Sequence, residues 1–440
     1  MTNAQHRPGT SNTEGTDAEY LRRFGFSSKQ DVVAKSISHW NPDKTRFWID
    51  AGVPLIIGRR HGYFMFDIDG HRLIDVSLNG GIYNLGHRNP EIIAAVVDGL
   101  EYFDIGSHQF PSVARTALAE ALIDATEMAV SKVAFGSGGG EAVDIALKSA
   151  RHATGRRKVV SIRNAYHGHT GLAVATGDPR YSQMFLADRP DEFVQVPFND
   201  INAMRTTLER EDVAAVILET IPATYGFPLP DPGYLPAVKS LCEQFGSLYI
   251  ADEVQTGMMR TGRLWAISGY GVTPDIIVSA KGFSGGIYPI SAVLLNQKTS
   301  AWLDENGFGH ISTFGGAEIG CIAALKTLEI TTRTSTRESV VQLAEAMTAG
   351  LVAIQDRYSD WLLEVRQNGL VIGLKFAQPN GAKIVMKHMY AAGVYAKFAA
   401  LDPSVLQFKP GLLLDEDLTN ELLTLTEAAV GQAWSEVQRA

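Results

Sequence analysis

Cysteine is nearly absent from this sequence: 440 residues hold two, Cys242 and Cys321. Neither has a second cysteine at the C-x-x-C spacing typical of thiolate metal sites. Two thiols in a chain this long do not make a disulfide framework; they point to a reducing compartment. Long apolar runs are missing too, and none approaches the ~20 residues a membrane-spanning helix needs. The opening stretch, MTNAQHRPGTSNTEGTDAEY, is polar and has no apolar signal core. There is no excess of positive charge. Thirty-nine Lys and Arg face 48 Asp and Glu, a net charge of −9, with the signs interspersed. That balance argues against nucleic acid and anionic membrane as partners and leaves only a local basic pocket open. Internal repeats are absent, as are low-complexity tracts beyond the N-terminal arm. These absences predict a soluble, cytoplasmic protein.

What is present is ordinary for a globular chain, with 45% hydrophobic and 20% charged residues. The length exceeds one simple core and suits a large domain plus a smaller one. Residues 1 to about 17 are expected to be disordered, and 18–40 partly helical. Asp69-Gly70, between two strand-like runs, predicts a hairpin. From about residue 112 to 330 helical and strand-like segments alternate. Helices are predicted over 114–125, 141–151 and 236–245, and strands over 131–135, 159–162, 213–218, 248–251 and 276–279. Alternation on this scale predicts βα units around a mostly parallel sheet. The last hundred residues mix strands (370–376, 394–396, 405–409) with helices (383–391, 417–438) and read as a smaller α+β lobe.

The chain is organised around residues 248–292. An apolar run, Leu248-Tyr249-Ile250-Ala251, stops at Asp252 and Glu253; a second, Ile276-Ile277-Val278, stops at Ser279-Ala280-Lys281. An acid and a lysine at the C-terminal ends of buried strands meet in the crevice where open α/β sheets place ligands. That frame suits pyridoxal phosphate. A lysine forms a Schiff base with its aldehyde, and a carboxylate keeps its pyridine nitrogen protonated. Desolvation lowers a lysine's pKa and makes its amine nucleophilic.

Four further segments could serve such a site, though each alone also suits an ordinary turn or loop. Gly136-Ser137-Gly138-Gly139-Gly140-Glu141 lies between a strand and a helix, where backbone N–H groups attract a phosphate. Tyr166, in Ala165-Tyr166-His167-Gly168-His169, could stack on a planar heterocycle. Glu219 ends an apolar strand and needs a partner there. Hydroxyls in His310-Ile311-Ser312-Thr313-Phe314-Gly315-Gly316 could reach a phosphate.

With these segments in this order, the chain resembles the class III (ornithine/4-aminobutyrate-type) aminotransferases, enzymes of the fold-type I pyridoxal-phosphate class. The resemblance covers roughly residues 50–415. Its most specific block is Asp252-Glu253-Val254-Gln255-Thr256-Gly257, Arg260-Thr261-Gly262, Pro274-Asp275, Ala280-Lys281-Gly282, Gly285-Gly286 and Pro289-Ile290. It implies an α/β fold: a fold-type I large domain over residues 81–330, its mostly parallel sheet covered by helices on both faces. A small α+β domain would come from 41–80 plus 331–440, with an N-terminal arm and helix over 1–40. It implies a transaminase that moves an amino group between an amino acid or amine donor and an oxo acid, through pyridoxamine phosphate. The partners are then small molecules, and the assembly a homodimer with active sites at its interface.

The resemblance also assigns residues. Lys281 would hold pyridoxal phosphate and move the proton, and Asp252 would pair with the pyridine nitrogen. Val254 and Tyr166 would pack on opposite ring faces, Gln255 would lie near the phenolic oxygen, and Glu219 would support the site. The Gly138-Gly139-Gly140 cup would offer backbone N–H groups to the phosphate, and Thr313 would reach the phosphate of the neighbouring subunit. Relatives carry hydroxyl residues in that cup. Their absence here predicts binding through the backbone, with a water or Thr313 compensating. Relatives also carry an arginine where this chain has Gln407, and a neutral amide cannot grip a carboxylate as a guanidinium does. Arg46, in Lys44-Thr45-Arg46-Phe47-Trp48, resembles an arginine of glutamate-1-semialdehyde aminomutases and β-amino-acid aminotransferases that meets the substrate carboxylate. Trp48, Ile82, Tyr83 and Phe110 would give the entrance apolar or aromatic character, with Tyr83 near the substrate. An aminomutase or an amino-acid racemase or epimerase would share the cofactor residues. An inactive scaffold relative would not need Lys281 and Asp252.

Overall fold

The computed structural model describes residues 17–439. The disorder expected for the N-terminal arm therefore concerns positions that lie outside the described residues. The chain divides into two compact units, one of residues up to 60 with 64–73, the other of 61–63 with 74 onward. No helix among the described residues is long and apolar enough to cross a membrane.

The first unit carries helices Asp17–Arg23, Lys29–His39 and Pro42–Asp50, then strands β1 (Ile57–His61), β2 (Phe64–Asp67) and β3 (Arg72–Asp75), whose last residues enter the second unit. Its helix starts follow from sequence. Ser28 accepts the Asp31 N–H and Asn41 the Lys44 N–H, with Pro42 in the first turn where its missing N–H costs nothing. Lys29 lies 2.8 Å from the buried carboxylate of Asp67.

The second unit is built on a seven-stranded sheet. Its strands are β4 (Lys132–Gly136), β5 (Lys158–Ile162), β6 (Phe193–Val196), β7 (Val213–Glu219), β8 (Leu248–Asp252), β9 (Ile276–Ser279) and β10 (Ser291–Leu295), in the order β4-β10-β9-β8-β7-β5-β6. Neighbours among β5 to β9 are parallel, whereas β10 runs antiparallel to both β4 and β9. Strands β7 to β10 are buried at every position, as expected where helices cover both faces. Alternate residues feed opposite cores. Val216, Leu218, Tyr249, Ala251 and Ile277 pack with helices Val113–Ala125, Tyr234–Gln244 and Glu318–Thr332. Ala215, Ile217, Ile250 and Val278 pack with helix Gly139–Thr154.

Five of the seven strands match those read from the sequence within two residues. The other two, β6 and β10, are not among the strands read from the sequence. Strand β6 has only four residues, and β10 follows a glycine-rich turn. A second sheet joins β11 (Leu362–Asn368), β12 (Val371–Phe376), β14 (Lys397–Ala399) and β15 (Asp402–Phe408) in the order β11-β12-β15-β14. Strand β13 (Val394–Tyr395) instead pairs in parallel with Ile74 and Asp75.

Candidate active site

Strand register assembles the site. Glu219, last residue of β7, pairs with Asp252, last of β8, and Asp252 pairs in turn with Val278 of β9. Lys281 follows at once, with a left-handed φ of +47°. A residue with a side chain enters that region at a cost of about 1–3 kcal/mol, and such strain gathers at functional sites. Lys281 opens a short turn, Lys281–Ser284, which the Ser284 hydroxyl braces by donating to the Lys281 carbonyl at 2.9 Å. Gly80 leaves room for the lysine stem: a Cβ there would lie 3.1 Å from Lys281 Cε and from Gln255 Oε1. Burial pushes the Lys281 amine below its ordinary pKa, more than the charges of Asp252 and Glu219 pull it back. The amine is thereby made available as a nucleophile.

Asp252 is buried and accepts the Val254 N–H at 3.0 Å, while its other oxygen lies 2.7 Å from His167 Nδ1. Burial alone would lower the His167 pKa, but the hydrogen bond and charge of Asp252 outweigh it and the net shift is upward. His167 Nε2 is buried without a hydrogen-bond partner. Glu219 accepts the N–H of Tyr166 and of Ala223, each at 3.0 Å. Burial, with the charge of Asp252 beside it, pushes its carboxyl up to about 7. The turn after β5 is thus fastened to both acids, Tyr166 to Glu219 and His167 to Asp252.

Helix Gly139–Thr154 begins beside this pair, and no side chain caps its first turn. Its leading N–H groups and positive dipole end therefore suit an anion. Close packing explains the missing hydroxyl at position 140. A Cβ on Gly140 would lie 2.7 Å from Thr170 Oγ1, and one on Gly168 would lie 2.7 Å from the Gly140 Cα. The Ser291 hydroxyl holds the loop by donating to the Gly138 carbonyl at 2.9 Å.

A cavity of about 260 Å³ opens among these groups. Gly138, Gly139 and Gly140 line one end; Tyr166, Val254 and Gln255 line it with the charged trio Glu219, Asp252 and Lys281. Ile82 also lines it, but Tyr83 does not; the Tyr83 ring lies 3.9 Å from that of His87. Thr313 is exposed on the loop after His310, and Arg46 is exposed on helix Pro42–Asp50 of the first unit. Gln407 is buried; it donates to the Ala223 carbonyl at 2.7 Å and accepts from Lys409 at 2.8 Å. A larger hollow of about 1110 Å³, lined by residues such as Asp124, Arg263 and Lys326, contains none of the strand-end residues.

Two contributors escaped the sequence reading. His167 sits in the Tyr-His-Gly segment that drew attention for its tyrosine, and its role emerges only from its contact with Asp252. Glu253 is fully enclosed. It accepts from the hydroxyls of Thr220 (2.6 Å) and Thr256 (2.8 Å) and from the N–H groups of Ala266 (3.0 Å) and Ile267 (2.7 Å). Nothing in the sequence separates it from the acid next to it.

Residues 49–430 match the family model of the class III aminotransferases. The chain belongs to that family. An uncharacterized aminotransferase of Archaeoglobus fulgidus is 44% identical over 392 residues, 89% of this chain and 92% of the relative. A putrescine aminotransferase of Pectobacterium atrosepticum is 33% identical over 363 residues, 80% and 77% of the two chains. Among solved structures, ornithine aminotransferase from Toxoplasma gondii superposes with a TM-score of 0.86 at 25% identity, covering 96% of this chain and 99% of the other. Acetylornithine aminotransferase from Elizabethkingia anophelis gives 0.80 at 25% identity, covering 92% and 99%.

This class III aminotransferase accordingly has the fold-type I α/β architecture, uses pyridoxal phosphate, and transfers an amino group between small amino and oxo compounds. The cavity fits that cofactor. The uncapped helix start offers N–H groups for a phosphate, the buried Asp252 an anion for a ring nitrogen, and the desolvated Lys281 an amine for an aldehyde.

Proposed function

We propose that aminotransfer takes place in the 260 Å³ cavity, with Lys281 and Asp252 as its catalytic pair. The observation that carries this reading is the register that sets Glu219, Asp252 and the Lys281 turn at adjacent strand ends. Bound pyridoxal phosphate supplies an aldehyde that condenses with amines and a ring that draws electrons from the attached carbon. The chain's residues do the rest. With the cofactor bound, Lys281 Nζ would take the proton from the donor carbon and deliver it to the carbon on the far side of the donor nitrogen. The Asp252 carboxylate, backed by His167, stabilises positive charge at the ring nitrogen. Val254 and Tyr166, which both line the cavity, would pack on the ring, and Gln255 would lie near its phenolic oxygen. Gly138, Gly139 and Gly140 present backbone to the phosphate.

The sheet built from residues 132–295 supports a large cofactor domain over 81–330, and the sheet within 362–408 supports a smaller one from 41–80 plus 331–440. A homodimer is part of the proposal. Phe110, Val113, Thr313 and Phe314 are all exposed, and Arg115 ties the Phe110 carbonyl (2.9 Å) to that of Gly316 (3.0 Å). A second copy covering this apolar face would place Thr313 within reach of its partner's cofactor phosphate. Two free, buried cysteines accord with a cytoplasmic location. Arg46 binds a substrate carboxylate, including that of the oxo-acid acceptor, as in the β-amino-acid aminotransferase subgroup. Arg46→Ala is expected to raise KM for carboxylated substrates about tenfold or more, the worth of one charge-assisted contact; unchanged KM values would remove Arg46 from the site.

Single-turnover assay tests the main reading. Donor alone should be consumed in proportion to enzyme, with release of its oxo product, and Lys281→Ala should abolish this. Isomerised or epimerised donor without oxo product would instead establish an aminomutase or a racemase.

A further inference from the structure

The strand-to-helix turn at one end of the cavity is held from outside it. Ser137 lines the cavity, but Glu141, in the first turn of helix Gly139–Thr154, does not. One Glu141 oxygen accepts the Ser137 N–H and the Ser137 hydroxyl, each at 2.7 Å. The other lies 3.2 Å from His310 Nε2, and His310 Nδ1 lies 2.5 Å from Lys148 Nζ, further along the same helix. These partners fix the ring's proton. An ammonium only donates, so Nδ1 accepts from Lys148 and the Nε2–H is given to Glu141. Burial and the Lys148 charge lower the His310 pKa, against the pull of Glu141 and Asp144, and keep the ring neutral. Burial alone would raise the Glu141 carboxyl, but bonds from Ser137, Ser312 and His310 outweigh it and the net shift is downward. Glu141 is thus an ionised carboxylate whose orientation is set by the loop that carries His310.

We propose that His310 is a positioning residue for the cofactor phosphate: by holding Glu141 against Ser137 it fixes the turn of residues 137–140. The inference rests on the reading above, in which that turn receives the phosphate. Packing does not brace the start of the turn, since a Cβ on Gly138 would meet nothing within 4 Å. The loop of His310 is a firmer base. A Cβ on Gly315 would lie 2.7 Å from the Phe135 carbonyl of β4, and the Gly315 N–H is given to the Ser312 hydroxyl at 2.9 Å. The contact also has an electrostatic use. A carboxylate one residue beyond the turn repels a phosphate there. Bonds from His310 and Ser137 keep Glu141 from swinging toward the cavity, and Lys148, linked to it through the imidazole, sets a positive charge behind it. Without the His310 bond Glu141 is free to turn, and Ser137 follows its oxygen.

Calorimetric titration of the full chain, cleared of cofactor, with pyridoxal 5′-phosphate and with pyridoxal tests this. The two differ only in the phosphate, so the ratio of their affinities reads the turn alone. In His310→Phe, which keeps a ring and loses both bonds, the ratio should fall about tenfold, the effect of a displaced charge-assisted hydrogen bond. Pyridoxal itself should bind within about twofold of native, which a merely structural role would not predict. His310→Gln, whose amide can still donate to Glu141, should bring the ratio back to within about threefold of native. In a Glu141→Ala background His310→Phe should cost nothing further, because the two residues act as one unit. An unchanged ratio in His310→Phe, equal losses for both ligands, or losses that add to those of Glu141→Ala would overturn the proposal. Should His310→Phe not fold, Glu141→Ala alone still decides, since an unchanged ratio there removes the contact through which His310 acts. A native chain that binds both ligands equally would defeat the reading of the turn as a phosphate site, and a native preference that every variant keeps would defeat only this inference.

Discussion

Removing the Glu253 carboxylate should destabilise the enzyme by an amount that can be worked out from its four contacts. The Thr220 hydroxyl and the Ile267 N–H bond one oxygen, and the Thr256 hydroxyl and the Ala266 N–H bond the other. In Glu253→Gln an NH₂ group replaces one oxygen. The hydroxyl on that side can turn and accept, but the backbone N–H cannot. One buried donor is left facing another, at a cost of about 1–3 kcal/mol. In Glu253→Ala both N–H groups are orphaned and a cavity is left, so the cost rises to about 3–5 kcal/mol. For a chain of 440 residues each kcal/mol moves Tm by roughly 1 °C. The expected order in thermal unfolding is native, then Gln, then Ala, with the Ala variant about 3–5 °C below native. Since Asp252 and Gln255 flank the clamp in sequence, both variants should also hold pyridoxal phosphate more weakly, measured by its absorbance after dialysis. An Ala variant within 2 °C of native, or a Gln variant less stable than Ala, would refute the reasoning.

Two further outcomes follow from the geometry. Gly168→Ala puts a Cβ 2.7 Å from the Gly140 Cα at a φ of +117°; it should weaken cofactor retention at least tenfold, whereas Gly262→Ala, also at positive φ but with open space, should leave retention near native and cost only ~1 kcal/mol of stability. His167 has its folded pKa raised, so the stability it contributes is full below pH 6.5 and lost as pH rises through the raised value; the gap in urea midpoint between native and His167→Gln should shrink from pH 6 to pH 8.5, and a gap that widens would contradict the assignment.

Much of the site was legible in the sequence because parallel strands buried on both faces read as apolar runs, and the first polar residue after each run marks the functional edge of the sheet. Glu219 and Asp252 end such runs, and Lys281 lies two residues beyond Ser279, which ends a third. The glycine cup was legible as a strand-to-helix turn, though not the reason for glycine at 140, which lies in Thr170 and Gly168. The His167–Asp252 contact spans 85 residues and depends on β5 and β8 flanking β7, an order no local pattern encodes. The same holds for Gln407, which reaches Ala223 across 184 residues. Substituting an amide for a guanidinium is visible in sequence, but the amide's use as a tether on the loop after Glu219 is not.

Why two adjacent acids, Asp252 and Glu253, take different roles follows from the pleat. Consecutive residues of a strand point to opposite faces. Asp252 faces the cavity and shares its charge with His167, while Glu253 turns into the interior and is neutralised by four donors. Glu219 lies level with Asp252 across the parallel pair, close enough for Asp252 to raise its pKa. Two bare carboxylates in that position could not both stay ionised at low cost. The arrangement is tolerable because Asp252 has a histidine and Glu219 can take a proton near neutrality. A one-residue slip of β8 would exchange the faces. It would carry Glu253 to the cavity without His167 and bury Asp252 one methylene short of the Thr220 and Thr256 hydroxyls. The register of β7 on β8 is therefore what separates an acid that faces the cavity from one that holds the strand end in place.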